Sequence, residues 1–443
     1  MSLGAFIQRI NEMTVSWPML IFIIAVCLIC TIAFRFIQFR YFIAAWRYML
    51  FPEKKGSTGD MSPFQAFLNS LSTGLGNGSL AGVATAMYSG GPGAAFWMLA
   101  LGLVVMSARF AEVFLGTYFA AHSTVESRIG GPMLYLRAVL GGVWLTRIYV
   151  FFGLLFCFIV GNGMQTNSIR ISVHATWGIA PIVTAALLLV FMAYVVFGGA
   201  ARIIKVSDRL VPVKVITFFG SSAIVLAYHY QNLIPACKLI FSSAFQPLAL
   251  AGGVAGFAVQ QAVKYGVIRS IAATESGLGT TAIFFGGSGS KEPVKSGIMS
   301  MLTSFISTLV CVIVALCIIV SGVWDSGLTS TALTVAAFST VFGVYGGWIV
   351  SFLSIVFGMG VLVSYAYVTR EFWFYITNYR FEYLFAAIYS LVAFGAVFVD
   401  PTILWSLADL PNAGMLTINL IGILWLTPLI RREVIKFMQS QKQ

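Results

Sequence analysis

Predominantly apolar runs of about 20 residues or more, long enough for a helix to cross a bilayer, appear near 17–38, 64–89, 94–121, 146–169, 178–199, 210–230, 247–272, 295–323, 344–368, 381–399 and 413–430. They predict eleven spans. A shorter apolar stretch at 331–343 follows Gly327 and predicts a re-entrant or capping helix in an outer loop. Two of the spans are interrupted. The run at 64–89 carries Thr73-Gly74-Leu75-Gly76-Asn77-Gly78-Ser79 at its middle, glycine and small polar residues that favour no helix. The run at 247–272 carries Ala251-Gly252-Gly253-Val254-Ala255-Gly256. Loosened backbone survives at membrane depth only against protein or a cavity. A helix broken there leaves free N–H groups on one half, which suit a carboxylate, and free C=O groups on the other, which suit a cation.

Setting the first span aside leaves ten, and ten divides as five plus five. The single transmembrane domain of 1–443 then reads as an extra span and cytoplasmic linker (1–60), a first five-helix repeat (61–230), a second (231–430) and a cytoplasmic tail (431–443). Each repeat opens on its interrupted span. Five is odd, so the halves enter from opposite sides, the pattern of an inverted-repeat transporter with a midplane site. Glycine clusters also mark close helix contact, the competing account of each one taken alone.

Composition supports the membrane reading: of 443 residues 59% are hydrophobic and 9% charged, with mean hydropathy +0.93, where a soluble domain carries about 25% charged residues. The net charge of +12 does not indicate nucleic acid, because the basic residues sit in short loops between apolar runs. Of 26 lysines and arginines, 21 fall in one alternating set of loops and span ends, including Lys214 and Arg269, which predicts an outer N-terminus and a cytoplasmic C-terminus. The first apolar run lacks a small-residue cleavage site and predicts no cleavable signal. Six cysteines show no metal spacing and read as small core residues. A channel would need a charged ring or polar stripe, and charges inside these spans are too few. Three scattered histidines offer no catalytic cluster for an enzyme, and no polar stretch is long enough for a receptor's output domain.

Together the motifs resemble the alanine/glycine:cation symporter family, the bacterial sodium:alanine carriers. GNGSLAGVATAMYSGGPGAAFWM at 76–98 is similar to the family's G-T-G-N-I-A-G-V-A-T-A-I followed by G-G-P-G-A. ARFAEVFLG at 108–116 is like its K-Y-A-E stretch, Gly130-Gly131-Pro132-Met133 like its G-G-P-M loop, and GNGMQTNS at 161–168 like G-N-M-V-Q-x-N-S. The stretch from Arg269 through Thr281, with TESGLGT inside it, is similar to R-G-x-F-S-N-E-A-G-x-G-S, and Asp409, Asn412 and Asn419 resemble a further stretch. The resemblance implies an all-α LeuT-type five-plus-five fold with one extra N-terminal span in the bacterial inner membrane. It implies sodium-driven symport of small neutral amino acids, alanine and glycine with serine in reach. The chain departs from the family at Asn77, Ser79 and Thr274, and at Gly360-Val361, where the family has adjacent serine and threonine.

For substrate, the candidates are Gly76, Asn77, Gly78 and Ser79 with Gly252, Gly253 and Gly256, whose backbone N–H groups can hold a carboxylate with no fixed charge at the first break. Phe257 is a candidate pocket wall, or else packs against lipid or core. Asn162 and Gln165 reach the amino acid by the family match, or bond neighbouring helices. For sodium, a hard cation that needs several oxygens, the candidates are Thr73, Gly74 and Gly358. Arg109 and Glu112, one turn apart, are expected either as a structural pair or as functional charges. Glu275 is expected near the cytoplasmic end, pairing with Lys264, Arg269, Lys291 or Lys295 as an inner gate or a surface ion pair. Lys214, two residues after Pro212 among Val211, Val213, Val215 and Ile216, is a candidate cation surrogate: its ammonium stands where sodium would, in a proton-coupled or exchanging carrier. The alternative is that it snorkels to the interface.

Overall fold

The structure, a computed structural model, describes residues 17–52, 59–123, 130–245 and 255–441, and every regular element among them is helical. The chain opens with α1 (Trp17–Ala33), followed by short helices at Ile37–Arg40 and Phe42–Leu50. The first interrupted span is α2 (Pro63–Gly74), a π-turn at Gly78–Gly82 and α3 (Val83–Gly90). Then come α4 (Gly93–Ala121), α5 (Gly142–Trp177, with a π-turn at Cys157–Gly163), α6 (Pro181–Val196) and α7 (Gly199–Tyr228). α8 (Leu233–Phe245), which the apolar runs did not predict, lies between α7 and the second half.

The second half begins with α9 (Ala255–Thr274) and α10 (Thr280–Gly286), followed by α11 (Pro293–Val320). α12 (Ser330–Phe342) is the short helix expected at 331–343; it is followed by α13 (Tyr345–Thr377), α14 (Glu382–Gly395) and α15 (Pro401–Ser440). The helices at 93–121, 142–177, 199–228, 293–320, 345–377 and 406–440 are each long and apolar enough to cross a membrane, and α1, α6 and α14 are shorter apolar helices. α15 runs through Pro411 and Pro428 as one helix of 40 residues, longer than the span expected at 413–430.

The centre of the fold is α4, buried along most of its length, with α1, α9, α10, α11 and α15 against it. Small residues set these contacts: a Cβ on Gly102 would collide with Thr308 of α11, and one on Gly116 would meet the Ala282 carbonyl of α10. Such close approach is how helices associate where lipid is as apolar as the side chains. α12 lies over the first interrupted span, its Thr334 hydroxyl donating to the Leu80 carbonyl at 3.2 Å.

α2 starts where its sequence says it should. Ser62 Oγ accepts from the Gln65 N–H at 3.2 Å, Gln65 Oε1 accepts from the Ser62 N–H at 2.9 Å, and Pro63 fills the first helical position. Gln65 Nε2 also donates to Asp208 of α7 at 2.8 Å, anchoring the half-helix to the element that carries Lys214. Ser62→Ala removes the cap and is expected to lower stability by about 1 kcal/mol, read as a fall in the unfolding midpoint of the purified protein in detergent.

Candidate functional site

The first break lies inside the predicted segment. α2 ends at Gly74, Leu75 leaves helical geometry at φ −95°, ψ 69°, and the chain re-forms through the π-turn. The last carbonyls of α2 have lost their partners along the helix, and one side chain answers them. Lys214 Nζ donates to the Ser72 carbonyl at 2.8 Å, the Leu75 carbonyl at 3.1 Å and Ser72 Oγ at 3.0 Å. Ser72 Oγ spends its own proton on the Gly360 carbonyl at 2.9 Å, so all three partners of Nζ are acceptors. Three acceptors require three N–H bonds, the complement of an ammonium. Lys214 is completely buried, with the Phe357 ring 5.9 Å from Nζ. It does not snorkel. A Cβ on Gly360 would collide with Lys214 Cε and Nζ, so the missing side chain at 360 and the lysine occupy one volume.

The remaining groups of this break are partly engaged. Ser79 Oγ donates to the Gly74 carbonyl at 3.3 Å, and the Asn77 N–H donates to Gln165 Oε1 at 3.2 Å. A Cβ on Gly76 would come within 2.9 Å of Val361 and 3.4 Å of Gln165; one on Gly358 would lie 2.8 Å from Asn77 Nδ2. Gly76, Asn77, Gln165 and Gly358 therefore meet, and the Asn77 amide nitrogen is buried there with no hydrogen-bond partner. Asn162 is not part of this group: its amide donates to the Tyr389 carbonyl at 2.9 Å, an interhelical bond.

The interruption expected at Ala251–Gly256 falls mostly outside the described residues. Gly252 and Gly253 lie outside the described residues, and Gly256 and Phe257 belong to the first turn of α9. A second break follows within the described residues: α9 stops at Thr274, the chain becomes helical again at Thr280, and Glu275, Gly277 and Gly279 take φ of 53°, 90° and 86°. Two of these are glycine, for which left-handed backbone carries no Cβ penalty. Arg109 and Glu112 of α4 hold this loop. Their ion pair closes at 2.6 Å, Glu112 Oε2 accepts from the Gly277 and Gly279 N–H groups at 2.9 and 3.0 Å, and Arg109 donates to the Thr274 carbonyl and the Thr281 hydroxyl. Asn419 donates to the Gly277 carbonyl at 2.8 Å and Tyr149 to that of Leu278 at 2.6 Å. The pair ties the loop to α4 and sets a charge of favourable sign at each end of the broken helix.

Glu275 is buried at 6% exposure rather than placed at the cytoplasmic surface. It accepts from the Tyr365 hydroxyl at 2.7 Å and Thr280 Oγ1 at 3.4 Å, and among the described residues it forms no ion pair with Lys264, Arg269, Lys291 or Lys295. The two breaks adjoin: Ser70 Oγ and Thr281 Oγ1 are 2.7 Å apart, and a Cβ on Gly74 would lie 3.3 Å from the Ala273 carbonyl.

Arg269 corrects the expectation of no fixed charge at the first break. It is buried in α9, and a Cβ on Gly78 would lie 2.7 Å from its guanidinium; one on Gly82 would collide with it. The available signal was its place inside the run 247–272, which a count of loop charges passes over.

Of the carbonyls at the first break, those of Ser72 and Leu75 already accept from the lysine. A second cation at the same oxygens would lie against the ammonium.

Adjacent half-helices with charged and amide groups at their open ends, inside a bundle of apolar helices, define the class of membrane transporter rather than enzyme. The chain belongs to the sodium:alanine symporter family, whose sequence model matches residues 1–443. It is 31% identical over 446 residues to an uncharacterized transporter of Haemophilus influenzae, covering 100% of this chain and 98% of that one. It is 30% identical over 453 residues to the sodium/alanine symporter AgcS of Methanococcus maripaludis, covering 100% and 99%. The protein is thus a multi-pass membrane transporter of an amino-acid:cation symporter family.

Glu112→Ala leaves Arg109 buried without its counter-charge and is expected to cost about 3–5 kcal/mol. The double substitution R109A/E112A is expected to cost less than the sum of the two single changes. Equilibrium unfolding in mixed micelles measures the cycle, and strict additivity contradicts the pairing.

Proposed function

We propose that the protein is a secondary active transporter of small neutral amino acids, alanine and glycine with serine in reach, in which Lys214 takes the place of a coupling sodium ion at the first break. The observation that carries this reading is the trio of bonds from Lys214 to the open end of α2. Those oxygens end a half-helix, where a positive charge is favoured, and the ammonium meets that need from within the chain. Transport is then proton-coupled or an exchange of one amino acid for another.

The substrate lies at Gly76 to Ser79, with Gln165 and the free Asn77 amide beside it. The resemblance to carriers of alanine and the glycine-lined backbone both support a small ligand. The fold works by alternating access between two halves related as an inverted LeuT-type repeat, with α12 closing over the Leu80 end of the first break. The N-terminus lies outside and the C-terminus in the cytoplasm of a bacterial inner membrane. Removing the two that are buried, Lys214 and Arg269, leaves 19 of the 26 basic residues in the cytoplasmic set, and this excess still supports that orientation.

The purified protein in sodium-free proteoliposomes, with choline in place of sodium, is expected to take up labelled alanine at the rate seen in sodium. Lys214→Ala is expected to slow that uptake at least tenfold by leaving two carbonyls uncapped at membrane depth. Uptake that vanishes in choline would return the protein to sodium symport.

A further inference from the structure

A cavity of about 450 Å³ opens beside the first break, between α1, the π-turn with α3, α9 and α15. Its size falls in the range of ligand sites, about 300–1,000 Å³. Two opposite charges line it. Arg269 is 8% exposed, its Nε has no hydrogen-bond partner, and no described carboxylate pairs with it. Asp409 of α15 lines the same cavity, partly buried, and among the described residues it makes neither a hydrogen bond nor an ion pair. The two do not pair with each other. Charges within a membrane domain are costly to leave unmatched and mark ligand paths. Here a guanidinium that reaches the Cys311 thiol and a carboxylate share a ligand-sized space without pairing with each other.

We infer that this cavity is a second amino-acid site, distinct from the one at Gly76 to Ser79. The guanidinium of Arg269 receives the α-carboxylate, a planar donor fork matched to a planar acceptor, and Asp409 with Asn412 receives the α-ammonium. Met19, Ile23 and Leu416 wall the rest, so an apolar side chain larger than that of alanine is accommodated. A ligand of single charge would satisfy one of the two groups and leave the other as it is, which is why a zwitterion is the class that fits. Arg269 lies on Gly78 and Gly82, so a carboxylate bound to it arrives at the edge of the first break. The cavity is therefore a waiting position for solute on its way to that break, and α1, outside the two five-helix halves, forms part of its wall. This inference rests on the amino-acid reading proposed above.

Saturation binding of labelled alanine to the full-length protein in nanodiscs tests it. Two molecules per chain are expected for the wild type, and one for Asp409→Asn and for Thr85→Trp. Thr85→Trp fills the cavity and keeps both charges, so it answers the question even if D409N fails to fold. One molecule per chain in the wild type, or two in T85W, would overturn the second site and leave the transport reading standing. No binding to the wild type would overturn both.

Discussion

A peptide group with no partner costs several kcal/mol in the interior of a membrane, and this protein opens two helices there. Each break is met by charge sent from another helix. Lys214 of α7 closes the carbonyl end of the first; Arg109 and Glu112 of α4 close both ends of the second. The rest of the architecture follows from these contacts. α4 is central because it must reach the second break while packing against helices of both halves, and α7 is tied to the start of α2 through Gln65 and Asp208, which holds the lysine in register.

The two breaks are not equivalent. The second is held by a salt bridge and six further hydrogen bonds, and its Glu275 bonds to Tyr365. The first keeps a free amide at Asn77 and has beside it an arginine whose Nε lacks a partner and which no described carboxylate pairs with. Unmet capacity is gathered at one break, and that is where a solute has something to gain by binding. A fixed ammonium differs from a diffusible ion in one respect: it cannot leave. Any change in its interaction with the break has to come from a change in its protonation or from movement of α7 against α2.

Much of the fold was legible from hydrophobic runs, because twenty apolar residues in a row have few other uses. The first break was legible too, since Gly74-Leu75-Gly76-Asn77-Gly78 has almost no helix propensity. The interruption expected at Ala251–Gly256 lies mostly outside the described residues, and the break at Glu275–Gly279 was not foreseen, because composition measures permissiveness and not cause. What opens the helix at Glu275–Gly279 is a carboxylate 165 residues away in sequence, and only Gly277 and Gly279 hint at it. Lys214 was visible as an anomaly among valines, yet whether it faced lipid headgroups or the break depends on Ser72, 142 residues distant. Arg269 was read as a loop charge because it lies near a span end; its contact with Gly78 and Gly82 depends on how α9 crosses the π-turn. α8 and the long reach of α15 were hidden for a plainer reason, since mixed apolar and polar segments carry no twenty-residue signal.

The central claim is that an ammonium, not a metal ion, completes the first broken helix. A high-resolution density map of the protein prepared in sodium chloride tests it most directly. The account predicts continuous side-chain density for Lys214 ending between the Ser72 and Leu75 carbonyls. Lysine density turned away from those oxygens, with an isolated spherical peak coordinated by them, would contradict it.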